Sequence, residues 1–220
     1  MRLDLHIHST HSRDGTAGTE EILRRCRDAG LDGCSITDHN SIDGSQEALA
    51  MGEAMGLVVV RGIEISSSGG HIIGYGLASP VQRDLSIKET VDRIRAAGGI
   101  AVAAHPTRFG SGVGGRAVTK ADFDAVETLN GGSSARGNRI ASRIAEEAGL
   151  PGIGGSDAHK IGEIGRSFTV VDEASSEADI LEAIVEGRTE TQGKSRSGGE
   201  GLVYLAETVF DWGRRGFRRL

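Results

Sequence analysis

Between Asp4 and Asp14 the chain reads DLHIHSTHSRD, which places His6, His8 and His11 among acidic residues, although the whole sequence holds only seven histidines. The other four stand apart: His39 follows Asp38, His71 follows two glycines, His105 precedes Pro106, and His159 comes two residues after Asp157. Imidazoles and carboxylates gathered in one cup would be costly to bury without positive charge among them. Divalent cations supply that charge. A donor set of nitrogen and oxygen without thiolate suits zinc, manganese or iron.

Local patterns say how such donors could meet. RLDLHI alternates as a strand, and period-two geometry sends His6 and His8 to one face. GCSITDH, LVVVRGIEIS, GHIIGYGL, IAVAAHP, FDAVETLN, GIGGSDAH and RSFTVV read as further strands. The stretches beginning GTEEILRRC, SIDGSQEAL, SIKETVDRI, SARGNRIAS and SSEADILEA read as helices, the third with a capping box from Ser86 and Glu89. The strand–helix rhythm predicts a parallel sheet covered by helices, an α/β fold. His39, Glu64, His105, Asp157 and His159 then fall at strand ends, His71 opens a strand, and Asp14 lies in the loop after the first. In α/β barrels the loops leaving the strands converge on one face, where polar residues serve chemistry. His6, His8, Asp14, His39, Glu64, His71, His105, Asp157 and His159 are too many donors for one tetrahedral ion and suit two or three with bridging carboxylates. Paired ions about 3.5–4 Å apart are a common device for splitting phosphate esters.

Composition bounds the rest. The 220 residues carry a net charge of −6, which argues against a general nucleic-acid coat. Two cysteines, Cys26 and Cys34, form no disulfide framework and read as buried apolar residues of a reducing compartment. No window approaches the ~18 apolar residues of a membrane span, and the start lacks a signal-peptide run, so a soluble cytoplasmic protein is expected. GKSRSGGEG, Gly193 to Gly201, reads as a flexible link, dividing a domain of residues 1–193 from a basic, amphipathic segment within 194–220.

The blocks DLHIHSTHSRDG, ITDHNSIDG, GIEIS, GHIIGYGL, AAHP and GGSDAHK occur in an order that resembles the polymerase and histidinol phosphatase (PHP) family, over about Arg2 to Gly193. The resemblance implies a distorted (β/α)₇ TIM-like barrel with up to three metal ions at the strand C-termini. It places His6, His8, Glu64 and Asp157 on a first ion. Glu64 would bridge to a second, held also by His71 and His105, and Asp14, His39 and His159 would hold a third. Asp14 occupies a place where some members carry histidine. His11 stands where an aromatic residue is common, and is read as a substrate-side or loop residue.

The expected reaction is metal-dependent hydrolysis of a phosphate ester by an activated water, with Asp157, His159 and Arg108 as catalytic residues. Arg108 offers phosphate a planar fork. Arg116, in the loop RFGSGVGGR, and His11 are further substrate-binding candidates, and Asn130 is expected to line the pocket. Asp38 is read either as fixing the tautomer of His39 or as a helix N-terminal contact. Of the few aromatics, Phe109 and Tyr75 fall near the site loops. The expected partner is a nucleotide or another small phosphorylated substrate. Short members of the family also act on oligonucleotide 5′ ends or histidinol phosphate. A metal amidohydrolase reading lacks a suitable bridging lysine, and a non-catalytic metal-binding accessory domain is at odds with a complete donor set.

Overall fold

The computed structural model describes residues 1–197 and 199. Residues 200–220, which include the basic stretch read as an amphipathic helix, lie outside the described residues. The fold is α/β, with two five-stranded mixed sheets. One runs β10-β9-β1-β2-β3, built from β1 (Arg2–Ile7), β2 (Gly33–Ile36), β3 (Val58–Val59), β9 (Ser167–Val171) and β10 (Thr189–Gly193). The other holds β4 (Gly62–Ser67), β5 (Gly70–Tyr75), β6 (Ile100–Ala103), β7 (Ala125–Asn130) and β8 (Gly152–Gly155) in chain order.

Helices α1 (Thr19–Asp28), α2 (Asp43–Gly52), α3 (Ile87–Ala96), α4 (Gly115–Val118), α5 (Ala135–Ala148) and α6 (Glu177–Val185) connect the strands. α1 has Glu20 and Glu21 in its first turn and Arg25 and Arg27 in its last, which suits the helix dipole, and it buries Ile22, Leu23 and Cys26. α3 carries the expected capping box: the Glu89 N–H donates to Ser86 Oγ at 3.2 Å and the Ser86 N–H to Glu89 Oε2 at 3.0 Å. α5 is capped by Ser134 and stops at Gly149, whose φ of +66° only glycine adopts cheaply.

Three expectations are corrected. The sheets are not parallel throughout. β1-β2-β3 and β6-β7-β8 run parallel, but β4, β5 and β6 pair antiparallel, as do β1 with β9 and β9 with β10. Only Ser68 and Gly69 join β4 to β5, far too few residues for a crossover. LVVVRGIEIS is not one strand. At Arg61 the backbone N–H turns to Glu177 Oε1 at 2.7 Å, so β3 ends in one sheet and β4 begins in the other. GIGGSDAH is a strand only as far as Gly155. No continuous ladder among the described strands joins the two sheets. The sheets meet through isolated bridges, Ile7 with Ala158 and His39 with Glu64, where the chain leaves strand geometry. β10, TETQG, was not foreseen, because an edge strand exposed along most of its length shows no apolar pattern.

The core is aliphatic. Leu3, Leu5, Ile73, Val102, Ile153 and Ile180 are fully buried in one cluster, each contributing ~1.5–3 kcal/mol by burial. Cys26 and Cys34 are buried thiols. Part of the segment read as a flexible link packs on the domain: Arg196 is buried, and Ser195 Oγ accepts from Asn138 Nδ2 at 3.0 Å.

Candidate metal centre

β1 and the residue after it carry His6 and His8 inward together, both buried. Their Nε2 atoms lie 3.2 Å apart. Both approach Asp157 Oδ1, at 3.5 Å from His6 and 3.3 Å from His8. Glu64 on β4 is the hub. Its Oε1 lies 3.0 Å from His71 Nδ1, 2.9 Å from His105 Nε2 and 3.6 Å from His6 Nε2. Its Oε2 lies 3.1 Å from His39 Nδ1 and 3.4 Å from His8 Nε2. Asp14 Oδ2 stands 3.1 Å from His159 Nε2 and 3.5 Å from His39 Nε2.

All nine donors foreseen in the sequence thus fall in one connected cluster. They form four overlapping groups whose ligand atoms lie within 4.8 Å of one another: His8, Asp14, His39 and His159; His6, Glu64 and His105; His6, His8 and Asp157; His39, Glu64 and His71. His6, His8 and His39 therefore sit between sets that the family resemblance keeps separate. The residues present fit divalent cations. Buried Asp14 Oδ1 and His105 Nδ1 lack a hydrogen-bond partner among the described residues, and His39 Nδ1 is near Glu64 Oε2 without hydrogen-bond geometry, which is costly unless a ligand takes them up.

Backbone strain gathers here too. His105 has φ +27°, Asp157 +53° and Asn40, beside His39, +57°. Left-handed backbone costs a non-glycine residue ~1–2 kcal/mol, and such strain clusters at functional sites. Gly155 makes room for the cup, since a Cβ there would lie 2.5 Å from His6 Cβ.

The electrostatics follow from crowding. Burial disfavours the charged form of His6, but Glu127, Asp157 and Glu64 outweigh it and hold its pKa well above the usual range. Burial works the same way on His159, yet Asp14 and Asp157 lift it to about 9. His39 is also raised, Glu64 and Asp14 overcoming burial. Burial, with His159 alongside, pushes His8 down to about 4. Glu64 and Asp157 are kept well below the carboxylate range despite burial, Glu64 by His71, His39 and His6, Asp157 chiefly by Arg108. The cluster wants positive charge, and without cations it holds protons instead.

Arg108 meets this cluster directly. Its Nη2 lies 2.5 Å from Asp157 Oδ2 and donates to Asn130 Oδ1 at 2.8 Å. Asn130 is buried where the sequence placed it, beside Asp157. Other candidates fall elsewhere. His11 pairs with Glu47 Oε2 at 3.1 Å and belongs to none of the four groups. Arg116 is exposed on the short helix α4, at the end of the loop RFGSGVGGR. Asp38 makes no described hydrogen bond to His39, and its Oδ2 lies against Gly44 in the first turn of α2. Its carboxylate accepts from the N–H and the hydroxyl of Ser9, both at 2.7 Å, and so pins the loop that carries Asp14. Tyr75 is fully buried and donates to Leu5 O at 2.6 Å, leaving Phe109, entirely exposed, as the one aromatic of the two facing solvent.

Two residues at the centre were missed. Asp4, fully buried on β1, accepts from the N–H groups of Ser156 at 2.9 Å and Gly165 at 2.8 Å and so ties β1 to the loop carrying Asp157 and His159. Glu127, fully buried on β7, accepts from His6 Nδ1 at 2.9 Å and from the His105 N–H at 2.8 Å. The available signal for each was a carboxylate at an inward position of a predicted strand.

The sequence profile of the PHP domain matches residues 4–109, and a second, PHP-associated profile matches residues 135–189. An uncharacterised protein of Methanocaldococcus jannaschii is 34% identical over 140 residues, 59% of this chain and 82% of that protein. This chain belongs to the PHP family of metal-dependent phosphoesterases. Phosphoribosyl 1,2-cyclic phosphate 1,2-diphosphodiesterase of Eggerthella lenta is 36% identical over 80 residues, 34% of this chain and 30% of that protein. In three dimensions the PHP chain resembles a two-domain protein from Bacteroides vulgatus that contains a predicted PHP-like metal-dependent phosphoesterase. The TM-score is 0.73 at 21% identity, over 88% of this chain and 64% of the other, a likeness of fold. No described helix is long and apolar enough to cross a membrane.

Proposed function

We propose that this PHP protein hydrolyses phosphate monoesters of nucleotides or small metabolites at a centre of two or three divalent cations, zinc, manganese or iron. The carrying observation is Glu64, one buried carboxylate ringed by His6, His8, His39, His71 and His105. A carboxylate so placed suits bridging. His6, His8 and Asp157 would complete a first set, His71 and His105 a second, and Asp14, His39 and His159 a third. When bound, such ions would acidify a water and neutralise charge on the phosphoryl oxygens.

The chain's own groups do the rest. Arg108, held at the rim by Asp157 and Asn130, would take a non-bridging phosphate oxygen. His159 would lose its proton on taking a cation with Asp14 and His39, so the proton for the leaving oxygen would come from water at the centre. The two sheets are read as halves of a distorted (β/α)₇ barrel whose strand ends face the cup, within a catalytic domain of residues 1–193. The net charge of −6 favours a compact phosphate ester over long nucleic acid. Free buried thiols agree with a cytoplasmic setting. The test is a screen of phosphorylated metabolites with manganese- or zinc-loaded protein beside a His8→Ala variant. Phosphate release that stops with chelator, returns with metal and is absent in the variant is expected. Equal release by both proteins would refute the assignment.

A further inference from the structure

We infer that Glu127 is the positioning residue of this centre, setting which nitrogen of His6 is bare and where His105 stands. The inference rests on reading the cluster as a metal centre. Glu127 sits on β7, fully buried, with its two oxygens divided between two tasks. Oε1 takes the proton of His6 Nδ1 at 2.9 Å. A carboxylate has only lone pairs to offer, so the proton His6 keeps when a cation binds is the one on Nδ1, and Nε2, facing Glu64, Asp157 and His8, is the nitrogen left to the cation. Oε2 accepts from the His105 N–H at 2.8 Å, at the residue whose φ is +27°, and from Asn130 Nδ2 at 2.9 Å.

The same bond orients a further group. With Nδ2 of Asn130 directed between Glu127 and Asp157, its Oδ1 must face Arg108 Nη2 at 2.8 Å. Glu127 therefore orders, through one buried side chain, two of the proposed ligands and the arginine at the rim. It touches no proposed substrate position itself. The partners come from β1, the end of β6 and the end of β7, so no local rule of sequence could supply this clamp.

Glu127→Gln tests the inference because it keeps size and changes only the hydrogen-bond pattern. The amide oxygen is needed where two N–H groups converge, so the amide NH2 must face His6 Nδ1. The His6 proton is then driven to Nε2, the nitrogen a cation requires. Zinc affinity, measured by competition with a chromogenic chelator, is expected to fall about 10–100-fold, with the far-ultraviolet circular dichroism of the metal-free protein unchanged. Glu127→Asp, which keeps the lone pairs, should recover part of the affinity. On the wild type alone, ¹⁵N NMR of histidine-labelled, zinc-saturated protein should show His6 protonated at Nδ1, a readout that stands even if the variants fail to fold. A folded Glu127→Gln protein binding zinc within twofold of wild type, or a wild-type spectrum with His6 Nδ1 bare, would overturn the inference. Wild type that takes up no zinc would overturn the metal reading beneath it.

Discussion

Replacing Asp4 with asparagine should change how stability depends on pH, and by an amount that follows from burial. Asp4 is fully buried, and burial outweighs its hydrogen bonds from Ser156, Gly165 and His6, raising its pKa from 3.8 to about 6. The sign follows from linkage. A folded pKa above the unfolded one means that the wild type holds its full contribution below pH 3.8 and loses it as pH rises through about 6. With one proton linked to folding over that interval, the wild type should lose about 2 kcal/mol between pH 4.5 and pH 7.5 through Asp4 alone. Asp4→Asn cannot titrate and should not show this loss. The assay is urea unfolding of both proteins in chelator across that range, comparing the difference in unfolding free energy, from which titrations common to both cancel. The gap should move toward the variant by about 2 kcal/mol as pH rises. A gap that stays flat, or moves toward the wild type, would show that the N–H donors outweigh burial and that the reasoning fails.

Metal uptake should expel protons. His159, held at about 9, and His6 and His39, both raised, must give up theirs to a cation, so zinc should bind more tightly as pH rises from about 6.5 to 9, with a calorimetric heat that depends on the buffer. A buffer-independent heat would contradict this. By the same linkage, the metal-free protein should lose thermal stability as pH rises through about 9, where His159 gives up the proton it keeps only in the fold. Gly44→Ala should cost ~1–3 kcal/mol, because the new methyl would lie 2.2 Å from Asp38 Oδ2 and 2.7 Å from Ser9 Oγ, and a melt lowered by several degrees would register it. Arg108→Lys removes the fork between Asp157 and Asn130 and should raise KM for a phosphate ester about tenfold or more while zinc content holds; an unchanged KM would take Arg108 out of substrate binding.

The donors were legible before any coordinates because histidine is scarce in this chain and its spacing follows strand geometry. His6 and His8 share a face by period two, and Asp157 and His159 repeat the interval beside a short strand. Helices announced themselves through Ser86 and Glu89 at one start and Gly149 at one end. Family order within the motifs supplied the expectation of a common cup. Hydrogen-bond partners distant in sequence were not legible. Glu127 meets His6 across 121 residues and Asp38 meets Ser9 across 29, and no local periodicity encodes such pairs. The antiparallel turn at Ser68 and Gly69, the break at Arg61 and the left-handed backbone at His105 and Asp157 likewise came only with the fold. Residue type set which atoms could act as donors. Tertiary structure decided where each lone pair points, because that depends on buried partners the folded chain brings within about 3 Å.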